Sequence, residues 1–426
     1  MNLTEQMTDL ARRARAASRA LNRLTKEEKD RCLRAMADAL LREADAIKAA
    51  NAKDLETAEQ MGLSKAMIDR LRLTDARIEG MAQGLREVAD LSDPVGRLLD
   101  ERQRPNGLVL RKLTVPIGVI LIIYESRPNV TAEAASLCFK SGNTVILRGG
   151  KEALNSNQII ARIMVEAAGR ELAAFPADAI QVVPTVDREA VPILLSLTEL
   201  IDLCMPRGGE GLIRAVAEAS RIPVIKHYKG VCHVYVDAAA DQEMAVAITV
   251  NSKCQRPGVC NAAETLLVDA AIADGFLPKV AAALAAEGVE LRVDAAARQI
   301  LTAAGSQANI TAATEADWSA EYLDLVLAVK VVAGVEEAVG HINEFGSGHS
   351  ESIVTADEAN ARRFLAEADS SAVYWNASTR FTDGGQFGMG AEIGISTDKI
   401  GARGPMGLDE LTTYKWQVTG TGQIRE

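Results

Sequence analysis

Cys260 stands in surroundings that suit a nucleophile. It follows the turn residues Pro257 and Gly258 and precedes the apolar run 265–268, so the thiol would be held rigidly before a buried strand. Only a thiolate attacks, and the guanidinium of Arg256 and nearby backbone N–H groups would favour that charged form. The alternative is that Cys260 is a small buried hydrophobe, as most free cysteines are.

Glycine pairs that are each preceded by an arginine follow two predicted strands, and a lysine also follows the first pair. Glycine lets a backbone approach a phosphate closely, and the N-terminus of the helix that follows favours anions. Either turn alone is equally consistent with an ordinary tight turn, but two of them on one sheet favour a phosphate-bearing cofactor. The candidate cofactor-binding residues are Arg148, Gly149, Gly150 and Lys151 in the first turn and Arg207, Gly208 and Gly209 in the second.

These residues need a scaffold, and the pattern of the chain predicts an α/β fold. Residues 1–92 read as helices, with a capping box at 25–28 that opens a helical run over 31–50. A hairpin over 97–114 turns at Asn106-Gly107. Short apolar runs then alternate with helical patterns, which is typical of parallel sheets covered on both faces. Two such domains are predicted, with a boundary near 231. Their strands are 117–124, 144–147, 180–183, 200–203 and 223–226, then 232–236, 265–268, 289–293, 325–332, 352–355 and 372–375.

Composition excludes several classes of protein. The 426 residues are 48% hydrophobic and carry a net charge of −11 without a basic stripe, which argues against nucleic acid and anionic membranes as partners. Six cysteines without a C-x-x-C pair and four histidines without ligand spacing predict reduced thiols and no metal. The N-terminus lacks the pattern of a signal peptide, and no apolar stretch is long enough to span a bilayer. A cytoplasmic location is therefore expected.

Six longer motifs resemble the γ-glutamyl phosphate reductases of proline biosynthesis, a family within the aldehyde dehydrogenase superfamily. The resemblance covers essentially the whole chain. Phe345 stands where His or Tyr is expected, and Gly401 stands where a His often precedes the last motif. The motifs lie at 124–130, 142–153, 205–209, 255–265, 341–353 and 402–408.

The resemblance implies the NADPH-dependent reduction of L-glutamyl 5-phosphate to L-glutamate 5-semialdehyde and phosphate, through a thioester on Cys260 rather than Cys254. It also implies that Asn129 and the backbone N–H of Cys260 stabilise the oxyanion, although Asn129 would otherwise be read as the N-cap of an ordinary loop. Lys229, Arg256 and Arg403 are candidate partners for the substrate's phosphate or α-carboxylate, and exposed ion pairs are the alternative for each.

Two other functions remain open. Hydrolytic aldehyde dehydrogenases are similar to this chain, but they carry Glu-Leu-Gly-Gly where residues 227–230 read His-Tyr-Lys-Gly. That Glu activates the water that cleaves the thioester, and a reductase gains by lacking it. The second alternative is a non-catalytic binding protein that keeps the fold. The presence of Cys260, Asn129 and the turn at 148–151 counts against it.

The resemblance further implies roles for whole segments. Residues 1–94 and 117–230 are predicted to bind NADP, residues 231–410 to carry the nucleophile, and residues 95–116 and 411–426 to supply oligomerisation strands. Arg148 and Lys151 suit the 2′-phosphate of NADPH, and Glu152 is expected to point into the helix cap, away from the ribose.

Exposed strand edges favour a homo-oligomer, either a dimer or a dimer of dimers. The alternative is that the hairpin and the tail extend a sheet of their own subunit. Functional coupling to glutamate 5-kinase is a further expectation.

Overall fold

The computed structural model describes residues 1–425 and divides into two compact units. The first comprises Met1–Lys226, Gly388–Gly394 and the segment from Met406 to the C-terminus, and the second comprises His227–Phe387 and Ile395–Pro405. The first change of unit therefore falls four residues before the predicted start at 231. Two short segments inside the predicted range 231–410 belong to the first unit.

Five helices open the first unit. The predicted capping box is present, since the Thr25 hydroxyl accepts from the Glu28 N–H at 3.2 Å and the Glu28 carboxylate accepts from the Thr25 N–H at 2.8 Å. The single helix expected over 31–50 is wrong, because the helix ends at Arg42 and a new one begins after Glu43, which has non-helical angles. The helices are α1 Leu3–Leu21, α2 Lys26–Arg42, α3 Ala44–Gln60, α4 Lys65–Leu71 and α5 Asp75–Asp90.

A four-stranded parallel sheet forms the centre of this unit, in the order β5-β4-β3-β6. Every residue of the central strand β3 is buried, as its uninterrupted apolar sequence requires. The strand expected at 200–203 instead begins at Leu203, and the run 223–226 forms only a single bridge between Val224 and Cys204. The strands are β3 Val119–Tyr124, β4 Thr144–Arg148, β5 Ile180–Val182 and β6 Leu203–Arg207. The helices between and after them are α6 Asn129–Lys140, α7 Leu154–Glu171, α8 Ala190–Leu195 and α9 Glu210–Ala219.

The predicted hairpin is a three-stranded antiparallel sheet, because the C-terminal strand adds to it. Strands β1 (Leu98–Gln103) and β2 (Val109–Pro116) flank a turn in which Gly107 has φ +88°. Strand β16 (Thr412–Thr419) pairs with β2 along eight residues. The tail therefore already has a partner strand within its own chain, as the alternative reading held. Tyr414, Trp416 and Val418 remain 51%, 43% and 57% exposed.

The second unit contains a seven-stranded parallel sheet in the order β10-β9-β11-β8-β7-β12-β13. Its strands are β7 Cys232–Val236, β8 Ala263–Asp269, β9 Glu290–Val293, β10 Asn309–Ala312, β11 Val326–Val332, β12 Ser350–Val354 and β13 Ala372–Trp375. Its helices are α10 Gln242–Cys254, α11 Ala273–Ala286, α12 Ala295–Ala303, α13 Val335–Phe345 and α14 Glu358–Glu367. Two short strands, β14 Gly394–Ser396 and β15 Gly404–Met406, complete the strands of residues 1–425.

The predicted α/β class with parallel sheets and a small antiparallel hairpin sheet is confirmed. No helix within residues 1–425 is long and apolar enough to cross a membrane. The same residues contain no group of three or more His, Cys, Asp or Glu side chains that could hold a metal ion.

Candidate active site

Cys260 lies on the loop that joins α10 to β8 in the second unit, and its side chain is half-buried. The backbone of this loop is in close contact with Gly230 and Cys232. A Cβ atom at Gly230 would overlap the carbonyl oxygen of Cys260, so only glycine allows this approach of the two backbones. The Cys232 thiol donates to the same carbonyl oxygen at 3.2 Å. The backbone that carries the thiol therefore has a fixed position.

A buried ion pair joins the two ends of this loop. Lys253 and Glu264 are both fully buried, and Lys253 Nζ donates to Glu264 Oε2 at 2.6 Å. Burial raises the pKa of Glu264 to about 7, although the charge of Lys253 opposes the shift. The other Glu264 oxygen accepts from the Leu323 N–H at 3.4 Å.

Asn261, which directly follows Cys260, is held by two hydrogen bonds. Its side-chain amide donates to the Thr382 carbonyl oxygen at 2.8 Å, and its own carbonyl oxygen accepts from the Thr379 hydroxyl at 2.7 Å. Asn261 thus connects the loop between α10 and β8 (residues 255–262, the nucleophile loop) to the segment that follows strand β13.

Two of the six cysteines are accessible enough to react. Cys254 and Cys260 are half-buried, while the other four are buried. Burial raises the pKa of Cys232 well above its ordinary value and that of Cys32 to about 11. Burial and the charge of Glu287 also raise the pKa of Cys254. The raised pKa makes Cys254 the less suitable nucleophile of the two half-buried thiols.

Two guanidinium groups lie at the nucleophile loop. Arg256, predicted from the sequence, is on the loop itself and is exposed. Arg380 was missed. Its Nε donates to Gln255 Oε1 at 2.9 Å, and its pKa is lowered by burial and then by the charge of Arg256, while the charge of Cys260 acts in the opposite direction. The signal that points to Arg380 is its place after β13, since the carboxyl ends of parallel strands carry the ligand sites of such sheets.

The other two predicted substrate cations have partners elsewhere in the second unit. Lys229 Nζ donates to the Ser319 carbonyl oxygen at 2.6 Å. Arg403 Nη2 lies 2.9 Å from Asp369 Oδ1, in an ion-pair cluster that also contains Lys399. Of the three predicted cations, Arg256 is therefore the one that lies on the loop of the thiol.

The first glycine turn lies in the first unit, and the side chains of Asn157 and Tyr124 pack against Gly149. A Cβ at Gly149 would overlap the amide of Asn157, so this glycine is required by internal packing. Arg148 donates to the carbonyl oxygens of Gly149 and Val186, burial lowers its pKa, and its Nε is buried without a partner among the described residues. Lys151 is exposed.

Glu152 lies in the turn that follows the glycine pair, where Gly150 is the N-cap residue. Its carboxylate folds back against Gly150 and accepts a hydrogen bond from the Ser126 hydroxyl. The physical reason is local. Residues Lys151–Ala153 form one turn of 3₁₀ helix before α7 begins, and this turn directs the carboxylate back over the glycine.

The second glycine turn already binds a carboxylate. The Gly209 N–H, at the start of α9, donates to Glu125 Oε2 at 3.2 Å, and the Glu125 side chain lies against Gly208. The guanidinium of Arg207 packs against Gly394. An N–H group that holds a carboxylate suits a phosphate oxygen equally well, so the donors of this turn fit an anionic group of a cofactor.

Asn129 is the first residue of α6 and is half-buried. Pro128 occupies the N-cap position, so the alternative role of Asn129 as a helix cap is wrong. Its side-chain amide donates to Glu133 Oε1 at 2.7 Å, one turn further along the helix.

The aldehyde dehydrogenase family model matches residues 3–316. The chain therefore belongs to the aldehyde dehydrogenase family. A protein named gamma-glutamyl phosphate reductase, from Geobacter metallireducens, is 54% identical over 426 residues, which is 100% of both chains.

Solved structures agree with this assignment. The crystal structure of gamma-glutamyl phosphate reductase from Thermotoga maritima matches with a TM-score of 0.95 and 46% identity, covering 99% of this chain and 100% of that one. An engineered glycolyl-CoA reductase with bound NADP+ shares the fold at a TM-score of 0.63 and 16% identity, covering 97% of each chain. The predicted resemblance to the γ-glutamyl phosphate reductases is confirmed.

Proposed function

We propose that this protein reduces L-glutamyl 5-phosphate to L-glutamate 5-semialdehyde and phosphate, the second step of proline biosynthesis from glutamate. The observation that carries the proposal is the 54% identity, over the full length of both chains, to a gamma-glutamyl phosphate reductase. The half-buried thiol of Cys260 on a fixed loop supplies the chemistry that this reaction needs.

The reaction begins at the thiolate of Cys260. Its sulfur forms a bond to the acyl carbon, and the bond between that carbon and the phosphate oxygen breaks, so that phosphate departs and a thioester remains. Phosphate is a good leaving group, and no strong general acid is required. The backbone N–H of Cys260 and the amide of Asn129 are the proposed donors to the oxyanion. When bound, a reduced nicotinamide cofactor would supply the hydride that brings the thioester carbon to the oxidation level of the aldehyde. The bond between that carbon and the sulfur of Cys260 then breaks, which releases the aldehyde and restores the thiolate.

Water must not cleave the thioester before reduction. Where hydrolytic relatives carry a glutamate, this chain has His227, whose Nδ1 lies 3.0 Å from the Ile395 carbonyl oxygen. A carbonyl oxygen only accepts, so Nδ1 carries the proton and donates a hydrogen bond to the Ile395 carbonyl oxygen. The ring nitrogen that faces Ile395 is therefore unavailable as a base, and the position lacks the carboxylate that activates water in hydrolytic enzymes.

Membership of the aldehyde dehydrogenase family supports a nicotinamide cofactor. NADPH is the proposed form, because Arg148 and Lys151 place two cations at the first glycine turn and Lys151 is exposed. The second turn, Arg207 to Gly209, is proposed to bind a phosphate in place of the Glu125 carboxylate that it now holds. A bound cofactor would then displace Glu125 from the Gly209 N–H.

The exposed aromatic face of β16 supports a homo-oligomer, either a dimer or a dimer of dimers. Tyr414 and Trp416 lie on one face of the three-stranded sheet and are 51% and 43% exposed, although Lys112 and Arg102 lie over their rings. A cytoplasmic location and coupling to glutamate 5-kinase, which would supply the unstable acyl phosphate, belong to the same proposal.

An absorbance assay at the NADPH band, run in reverse, tests the function. Glutamate semialdehyde and NADP+ should produce NADPH only when inorganic phosphate is present, since phosphate is then the group that cleaves the thioester. NADPH production that is independent of phosphate would indicate the hydrolytic alternative. No production under either condition would contradict both.

A further inference from the structure

Arg380 crosses the nucleophile loop of the second unit. Its side chain bonds to Gln255 at the start of the loop, through Nε to Oε1 at 2.9 Å. Its backbone carbonyl oxygen accepts from the Asn261 amide at 3.5 Å, and the adjacent Thr379 hydroxyl donates to the Asn261 carbonyl oxygen at 2.7 Å. Arg380 is thereby fixed to the residues on either side of Arg256 and Cys260.

Both guanidinium groups at this loop retain unused donors. Nε of Arg380 is engaged by Gln255, but within residues 1–425 its two Nη atoms have no hydrogen-bond or ion-pair partner. Arg256 has no such partner among those residues either. The charge of Asp383 raises the pKa of Arg380, but Asp383 Oδ1 already accepts from the backbone N–H groups of Gly385 and Gln386.

Two guanidinium groups with unused donors at one loop suit the binding of an anion. Burial lowers the pKa of the Arg380 guanidinium, and the charge of Arg256 lowers it further, so the two cations disfavour each other in the chain alone. The thiolate of Cys260 offsets only one of the two charges. A phosphate group carries enough negative charge to balance the second, and its oxygens match the planar fork of a guanidinium.

The length of the substrate decides which of its anions can reach this place. The phosphate is bonded through one oxygen to the acyl carbon that the thiolate attacks. The α-carboxylate is separated from that carbon by the whole aliphatic chain. Arg380 is bonded to Gln255 and Asn261, on either side of the thiol, so it is placed to contact the phosphate and not the α-carboxylate.

We propose that Arg380, together with Arg256, binds the phosphate group of the acyl phosphate and makes the site specific for phosphorylated substrates. This inference rests on the proposed function and extends it, because the candidates from the sequence were Lys229, Arg256 and Arg403. In the structure, Lys229 and Arg403 are engaged by Ser319 and Asp369.

Protection of Cys260 from alkylation tests the proposal without any turnover. In a Cys254→Ser background, iodoacetamide labelling of Cys260 is followed by mass spectrometry while inorganic phosphate is titrated in the absence of cofactor. Phosphate should slow the labelling. In Arg380→Gln the half-protecting concentration should rise about 10- to 100-fold, the effect expected when a hydrogen bond between charged groups is lost. Arg380→Lys should recover part of the protection. The matched control is Arg362→Gln, which removes an exposed arginine of the same unit that pairs with Glu358, and it should not change the protection.

The reverse assay then separates the two substrate anions. Arg380→Gln should raise the KM for phosphate about 10- to 100-fold and leave the KM for NADP+ unchanged. A higher KM for the semialdehyde with an unchanged KM for phosphate would assign Arg380 to the α-carboxylate and overturn the proposal. Unchanged half-protection in Arg380→Gln, or no protection in the unsubstituted protein, would also overturn it. If phosphate protects Cys260 but the unsubstituted protein shows no phosphate-dependent turnover, the role of Arg380 stands and the proposed function fails.

Discussion

The buried pair of Lys253 and Glu264 should make the stability of Lys253→Met depend on pH. Both side chains are fully buried, and removal of one member of such a pair costs about 3–5 kcal/mol because the other charge is left in the interior. That is a large part of the roughly 5–15 kcal/mol that stabilises a typical domain. The remaining group in this variant, Glu264, can escape the penalty by taking up a proton.

The sign follows from the pKa of Glu264, which burial raises from 4.5 to about 7. The folded state therefore favours the protonated acid. Its contribution to stability is fully present below the unfolded pKa and is lost as the pH rises through 7, in total about 3 kcal/mol for a shift of this size. Lys253 lowers this pKa. In Lys253→Met the pKa moves above 7, and the variant continues to lose stability at a pH where the parent no longer does.

Urea unfolding at about pH 5.5, 7 and 8.5 measures this difference. Above pH 7 the free energy of unfolding of Lys253→Met should decrease relative to that of the parent, by up to about 1.4 kcal/mol per pH unit. The control is the double variant Lys253→Met with Glu264→Leu. It removes both charges and should abolish the divergence while restoring much of the stability. A loss in Lys253→Met that is the same at all three pH values would refute the reasoning.

Three other predictions concern the thiol, the cofactor and the tail. Cys260→Ser should remove nearly all turnover while leaving NADPH binding nearly intact, whereas Cys254→Ser should keep most activity; the opposite result would reassign the nucleophile. The unmutated protein should prefer NADPH to NADH, and replacing Arg148 and Lys151 by Ala should reduce that preference more than it slows turnover at saturating cofactor, as the ratio of kcat/KM values for the two cofactors will show. Deletion of residues 413–426 removes β16 from its sheet and should give a monomer or an aggregate with little activity; a truncated protein that remains dimeric by light scattering would contradict the proposed role of the tail.

Regular periodicity explains which elements of the fold were predictable. The central strand β3 is a continuous apolar run because both of its faces are buried, and such a run can be recognised from the sequence alone. Strand β10 escaped prediction because Asn309–Ala312 lies at the edge of its sheet and is mostly exposed. The break between α2 and α3 at Glu43 was missed because neither glycine nor proline marks it.

The site was predictable only where chemistry and local sequence coincide. Cys260 and Arg256 share one loop, and the turn residues beside them mark it. Arg380 contacts Gln255 of the same loop from 125 residues further along the chain, and no local sequence pattern indicates that contact. Lys229 and Arg403 were equally plausible by charge, but only the structure could reveal the carbonyl oxygen and the carboxylate that engage them.

A thioester on Cys260 is the central claim, and mass spectrometry can detect it directly. The protein is mixed with glutamyl phosphate generated in place by a kinase and ATP, first without NADPH. Fragmentation of the peptide that carries both Cys254 and Cys260 should locate a glutamyl adduct on Cys260, and addition of NADPH should remove it with release of the semialdehyde. An adduct on Cys254, or full turnover by a protein that never acquires an adduct on Cys260, would contradict the account.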